Sequence, residues 1–157
     1  MMLKNKSCSY ALLLIILSAT LLSCTRGPQP IQIGSDMCEL CKMTIMDKKF
    51  GAELITEKGK IFKFDSNECL IDYLKKFPED KYPVQAVLVI DHSNPGEFID
   101  AKLAYYLRSE KLPSPMGANL SSVQNKSTID NYLVEYGGEI WTWEQVFEQL
   151  HSNHLQR

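Results

Sequence analysis

The sequence predicts an α+β fold: two similar β-β-α-β units packed together, with a C-terminal helix. Three observations carry that expectation. Paired segments that read as strands occur twice. A stretch with apolar residues at helical spacing follows each pair, and a further strand-like run follows each helix.

In the first unit, about residues 37–92, Gly51–Ala52–Glu53–Leu54–Ile55–Thr56 and Lys60–Ile61–Phe62–Lys63–Phe64 alternate around Glu57–Lys58–Gly59, the pattern of a β-hairpin with a glycine turn. Ser66 then offers a side-chain oxygen to cap a helix in which Leu70, Ile71, Tyr73, Leu74 and Phe77 share one face, and Pro78 ends the run. Val84–Gln85–Ala86–Val87–Leu88–Val89–Ile90 is nearly unbroken, rich in β-branched residues and stopped by Asp91–His92–Ser93–Asn94–Pro95–Gly96, so it reads as a buried strand. The second unit, about residues 97–152, repeats the order. Its paired strands are Leu103–Ala104–Tyr105–Tyr106–Leu107 and Leu120–Ser121–Ser122–Val123–Gln124, separated by the turn Pro113–Ser114–Pro115–Met116–Gly117. Ser127 is the expected cap of a helix from about Thr128 to Tyr136, with Ile129, Tyr132, Leu133 and Tyr136 on its apolar face and Gly137–Gly138 at its end. Glu139–Ile140–Trp141 gives a short strand, and Trp143 to about His151 the final helix.

Lys4 and Lys6 precede an apolar run, Tyr10 to Leu17, that continues to Leu21–Leu22–Ser23–Cys24. Spanning a bilayer takes about 20 mostly apolar residues. This run is too short and closes on a small residue followed by cysteine, so residues 1–23 read as a secretion signal. Leu21–Leu22–Ser23–Cys24 resembles a bacterial lipobox, in which Cys24 becomes the lipid-modified first residue; the alternative is an ordinary secretory signal with a chance cysteine. Thr25–Arg26–Gly27–Pro28–Gln29–Pro30 follows at once, so residues 24–36 read as a lipid-anchored flexible tether. That places the chain in the cell envelope as a membrane-anchored lipoprotein, facing the periplasm or the outside of the cytoplasmic membrane.

Loss of residues 1–23 removes two lysines and no acid, moving the formal charge from −2 to −4. This acidic balance offers no electrostatic footprint for nucleic acid, and one modest domain remains. Of five cysteines, Cys8 leaves with the signal and Cys24 is taken by lipid. Cys38, Cys41 and Cys69 remain. Three thiols in an exported chain cannot all pair internally, which favours a ligand set over a disulfide framework.

The stretch Met37–Cys38–Glu39–Leu40–Cys41–Lys42–Met43 admits three chemistries. A redox pair is the weakest, because no strand leads into a helix at the motif and Asp36 and Glu39 disfavour a thiolate. Zinc is a stronger reading, with Cys38, Cys41, Cys69 and His92 as its tetrahedral set, although no second short-spaced pair completes the pattern and a core thiol is the default for Cys69. Cu(I) explains more residues at once, because it accepts thioether as well as thiolate sulfur. In an extended segment Cys41 and Met43 point to one face, and Met116, in a turn stiffened by Pro113 and Pro115, adds a third sulfur. Met37 and Met46 are expected to be core filler. No acid, base and nucleophile constellation is visible.

Taken together, Cys38–Glu39–Leu40–Cys41–Lys42–Met43, Gly51–Ala52–Glu53, Phe62–Lys63–Phe64–Asp65, Asn67–Glu68–Cys69–Leu70, Phe98–Ile99–Asp100–Ala101 with Ala104–Tyr105–Tyr106, Ser114–Pro115–Met116–Gly117–Ala118 and Gly137–Gly138–Glu139–Ile140 resemble the NosL family of nitrous oxide reductase accessory lipoproteins. The resemblance covers about Asp36 to Val146, and with it residues 37–157 become a NosL-like copper-binding domain. It implies two β-β-α-β units with fold features shared with organomercurial lyase. It also implies a lipid-anchored Cu(I) chaperone, not an enzyme, that works with a membrane transporter complex to deliver copper for maturation of nitrous oxide reductase. By position, Cys41 and Met43 match the family's Cys-x-Met element and Met116 its Met-Gly element, while Cys38 and Cys69 belong to variants of the pattern. His92, His151 and His154 are the three histidines, and no motif marks one of them as a ligand. Two alternatives stand beside the chaperone: a structural zinc protein, and a carbon–metal lyase using Cys41 and Cys69 with Asp65 as its acid.

Overall fold

The structure, a computed structural model, describes residues 27–78 and 83–150. The expected signal peptide, Cys24, His151 and His154 lie outside the described residues. No helix among those described is long and apolar enough to cross a membrane.

The alternating segments of the first unit form the expected hairpin, β1 (Ala52–Thr56) and β2 (Ile61–Phe64), with Leu54 opposite Phe62. Helix α1 (Asn67–Lys76) follows, then β3 (Val84–Ile90), which returns antiparallel to β1 on the side away from β2. In the second unit β5 (Tyr105–Arg108) and β6 (Leu120–Val123) pair, α2 (Lys126–Tyr136) follows, and β7 (Glu139–Trp141) lies on the other side of β5. Each unit thus places its first strand between its hairpin partner and the strand that follows its helix. Helix α3 (Trp143–Gln149) closes the chain, its Thr142 and Gln145 forming a reciprocal capping box.

Three local expectations are revised. Phe98–Asp100 is a strand, β4, and completes the first sheet in the order β2-β1-β3-β4. It joins β3 because the chain reverses over 91–97, where the Asp91 carboxylate accepts from both the backbone N–H and the hydroxyl of Ser93. Strand β5 begins at Tyr105 because Asp100 to Ala104 is a turn, closed by the Ala104 N–H on the Asp100 carbonyl at 3.0 Å. Helix α2 starts two residues earlier than predicted, with Asn125 rather than Ser127 at its N-cap and no side-chain cap bond.

The main core runs through both units, with Phe64, Leu70, Ile71 and Val89 of the first joined to Tyr106, Leu120, Trp141 and Val146 of the second. Burial of this apolar surface is the main stabilising term of the fold. A smaller cluster under α2 contains Leu107, Val123 and Ile129. Polar bonds fix the joint: the Asn67 amide donates to the Leu120 carbonyl and the Ser122 hydroxyl, and Ser122 donates to the Ile90 carbonyl at 2.7 Å.

The described part of the expected tether is fastened rather than free. The Gln29 N–H donates to both carboxylate oxygens of Glu53, at 3.1 and 3.2 Å, and Ile31 packs against the core. Lys63 pairs with Asp36 at 2.7 Å and donates to the Pro30 carbonyl. Burial pushes the Glu53 carboxyl up, and the Gln29 N–H opposes it.

Gly138 carries the tightest backbone approach in the second sheet. Its φ is +102°, and a Cβ there would lie 2.1 Å from the Arg108 carbonyl oxygen on β5. Neither the backbone conformation nor the contact suits a side chain, so Gly138→Ala is expected to destabilise the fold by about 1–3 kcal/mol. Urea unfolding checks this as a lowered midpoint at unchanged slope.

Candidate metal centre

The cysteine motif lies on a short two-stranded ribbon. Met37 bridges Thr44, the Cys38 N–H donates to the Met43 carbonyl at 2.8 Å, and the Ile45 N–H donates to the Asp36 carbonyl at 2.9 Å. Between the two sides the chain turns, with the Lys42 N–H on the Cys38 carbonyl and Lys42 at φ +62°. The extended geometry expected for Cys41–Lys42–Met43 is therefore replaced by a tight turn, which gathers Cys38 and Cys41 to one side. A bond from the Glu39 N–H to the Lys63 carbonyl docks that turn on the end of β2, beside Asp65.

Asp65 follows β2 directly, and Ser66 caps α1 by accepting from the Cys69 N–H at 3.3 Å. This sequence of strand end, carboxylate, cap and first helical turn brings Cys69 back toward the cysteine turn. One ligand atom each from Cys38, Cys41, Asp65 and Cys69 all lie within 4.8 Å of one another. Cys38 and Cys69 are buried, Cys41 is half-exposed, and all three are free thiols. The Cys41 thiol donates toward Asp65 Oδ2 at 3.5 Å, while Asp65 Oδ1 is buried with no hydrogen-bond partner among the described residues.

The cluster separates the thiols electrostatically. A hydrogen bond from Cys69 holds the Cys38 thiol down at about 7 against the cost of burial, helped by the backbone N–H groups of Cys41 and Asp65. Burial pushes Cys41 up to about 12, and the charges of Cys38 and Asp65 add to it. Cys69 is raised because it is the donor to Cys38, with burial reinforcing the effect. Cys38 is therefore the first of the three thiols to ionise, and a soft cation would displace the protons that remain.

The loop carrying Met116 is anchored to this same end of α1. The Ser114 hydroxyl donates to Glu68 and accepts from the Asn119 N–H at 2.8 Å. Gly117 at φ +82° allows the intervening turn to close. Glu68 is fully buried, and burial raises its carboxyl. Met116 is half-buried against the main core, and Met43 is 49% exposed at the cysteine ribbon. Met37 and Met46, expected as core filler, are instead exposed at 58% and 70%. Asp65 was legible as an acid at a strand end but not as a member of the sulfur cluster; its one sequence signal is its place just before the helix cap that positions Cys69.

The NosL family model matches residues 30–151. The chain belongs to the NosL family. Among solved structures it is similar to the copper chaperone NosL from Shewanella denitrificans, at 25% identity and a TM-score of 0.66, covering 79% of this chain and 98% of that one. No curated protein matches the chain.

His92, considered as a zinc ligand, is not a member of the cluster in this NosL-family chain. Its ring packs edge-on against Phe50 and Tyr132, its Nδ1 lies 3.3 Å from the Tyr132 hydroxyl, and its backbone N–H donates to the Ser122 carbonyl. Burial lowers its pKa, the Lys49 charge adds to that, and Asp47 and Asp91 act against it. The unfolded chain takes up this proton near pH 6.5 and the folded chain only at lower pH. Stability from neutral His92 is thus complete above about 6.5 and is lost as pH falls below it. Thermal midpoints measured from pH 7.5 to 5.5 should fall less steeply in His92→Gln than in the native chain.

Proposed function

We propose that this chain is a lipid-anchored Cu(I) metallochaperone of the cell envelope, delivering copper for maturation of nitrous oxide reductase or a similar copper enzyme. The observation that supports it best is the meeting of three thiol sulfurs from two separate elements in a fold shared with a copper chaperone. Cu(I) is soft and stable at low coordination number, so three thiolates suffice to hold it. Cys38 and Cys69 form the closed side of the proposed site and Cys41 its open side. Met43 and Met116 are proposed as supplementary thioether donors, weak enough to exchange.

The ion is cargo, and no covalent bond of a substrate is made or broken. Incoming ligands of a partner reach Cys41 first, because the other two thiols are buried. Stepwise replacement then carries the ion out without its being released to water. In this proposal Cys24 supplies the membrane anchor on the periplasmic or outer face, and a membrane transporter complex and the recipient enzyme are the partners. A second reading follows from Asp65: its oxygen beside three thiols is also a four-donor set of the kind that zinc accepts.

Anaerobic titration of the reduced chain with Cu(I) against a chromophoric chelator tests both. One tightly held Cu(I) per chain is expected. Cys41→Ser and Cys69→Ser should each weaken it by about 100-fold or more, since even outer-shell changes cost 10–100-fold, and Met43→Ala and Met116→Ala by less. Unchanged affinity in the cysteine variants, or one zinc retained against excess Cu(I), would overturn the copper proposal.

A further inference from the structure

We propose that Met37 and Met46 form a second, weaker site for a soft monovalent cation, on the face of the 36–45 ribbon turned away from Cys38. The inference rests on the Cu(I) reading for the identity of the cation, and on the ribbon's own geometry for the site. Methionine is among the residue types most often buried. Here no described methionine is buried, and three of them, Met37, Met43 and Met46, are 58%, 49% and 70% exposed within ten residues of one another.

The ribbon's register says which of them act together. The bonds from the Cys38 N–H to the Met43 carbonyl and from the Ile45 N–H to the Asp36 carbonyl flank Met37 and Thr44, making these a directly opposed pair without mutual hydrogen bonds. Side chains alternate along each side, so Cys38, Met43 and Ile45 share one face and Met37, Thr44 and Met46 the other. Burial follows this division at five of the six positions: Cys38 and Ile45 are fully buried and Met37, Thr44 and Met46 exposed, while Met43, next to the turn, is exposed although it lies on the Cys38 side. Met46 stands two residues past Thr44, just beyond the single bridge of the ribbon, and diagonal neighbours across such a pair are about 7–8 Å apart, within reach of long side chains.

Two flexible thioethers can therefore converge on one ion above Thr44. Such sulfur selects Cu(I) over zinc, magnesium or calcium. A thioether carries no proton to lose, so this pair is available when the thiols are still protonated. With neutral donors alone it holds the ion more weakly than the thiolates do. A second cation is thereby kept at the surface one residue along the chain from Cys38, where the tight site takes its first.

The test uses the full reduced chain with methionine methyl groups labelled with ¹³C, and Ag(I) as a redox-stable d¹⁰ probe. Beyond the first equivalent, the Met37 and Met46 methyl signals should move together and saturate at one further ion. Met37→Leu and Met46→Leu, exposed changes of nearly equal volume, should each abolish that second response and leave the first equivalent intact. Methyl signals of Met37 and Met46 that stay fixed, or a Met46 response that survives in Met37→Leu, would overturn the proposal. Failure of the thiol site would show separately, as loss of the first equivalent with the methionine response preserved.

Discussion

Four consecutive residues at the start of α1 are buried together, and the molecule is arranged around the polar bonds they make. Buried polar groups without partners cost far more than exposed ones. Ser66 uses its hydroxyl on the Cys69 N–H, Asn67 spends its amide on the second unit, and Glu68 takes the Ser114 hydroxyl. Cys69 is then left with its sulfur facing the cysteine turn. Beyond the cap itself, Asn67, Glu68 and the Cys69 sulfur each face a different element, which fixes where β6, the 114–119 loop and the 38–42 turn lie. The metal centre is a by-product of that closure: remove the cap or the joint and the sulfurs lose their common location before any of them is changed.

The same closure limits charge. A carboxylate and three thiols brought within 4.8 Å cannot all ionise in a largely buried space. Ionisation of Cys38 is favoured by a thiol and two backbone donors, while burial and the neighbouring charges oppose it at Cys41 and Cys69. Asp65 Oδ1 lies beside the thiols with no hydrogen-bond partner among the described residues. A cation entering there would relieve both problems, supplying the missing partner and allowing the remaining thiols to ionise. An apolar ligand would relieve neither. This argues for a charged guest independently of the family to which the chain belongs.

How much of this was legible in the sequence follows from the range of the interactions involved. Strands β1 and β2, the capped start of α1 and the glycine end of α2 are set by patterns within a few residues, and they stand where the sequence puts them. The position of β4 depends on which strand it returns to, and Phe98–Ile99–Asp100 alone does not say. Asp65 entered the cluster through the fold of a turn 24 residues earlier in the chain, at a distance no spacing rule encodes. Lys42 shows the reverse case. A left-handed lysine is uncommon, so alternation through Cys41 and Met43 was the natural expectation, and a single backbone angle overturned it. The exposure of Met37 and Met46 was hidden for a related reason: both look like core residues until the ribbon's register assigns them a face.

The two units share a topology but not a task. In the first, nearly the whole opening of α1 is buried, whereas α2 buries only Ile129 and has no side-chain cap. The three described cysteines belong to the first unit, and the second contributes the Ser114 loop that closes over the end of α1. A symmetric pair of units would bury two polar helix starts and need two sets of partners. Here the second unit has given up its own buried helix start and serves instead as the surface that satisfies the first. That asymmetry lets a small domain afford one polar, sulfur-lined interior: the apolar contacts of Tyr106, Leu120 and Trp141 hold the units together while the polar groups at their joint are committed to position. The site is therefore a property of the interface between the units, even though its thiols come from one of them.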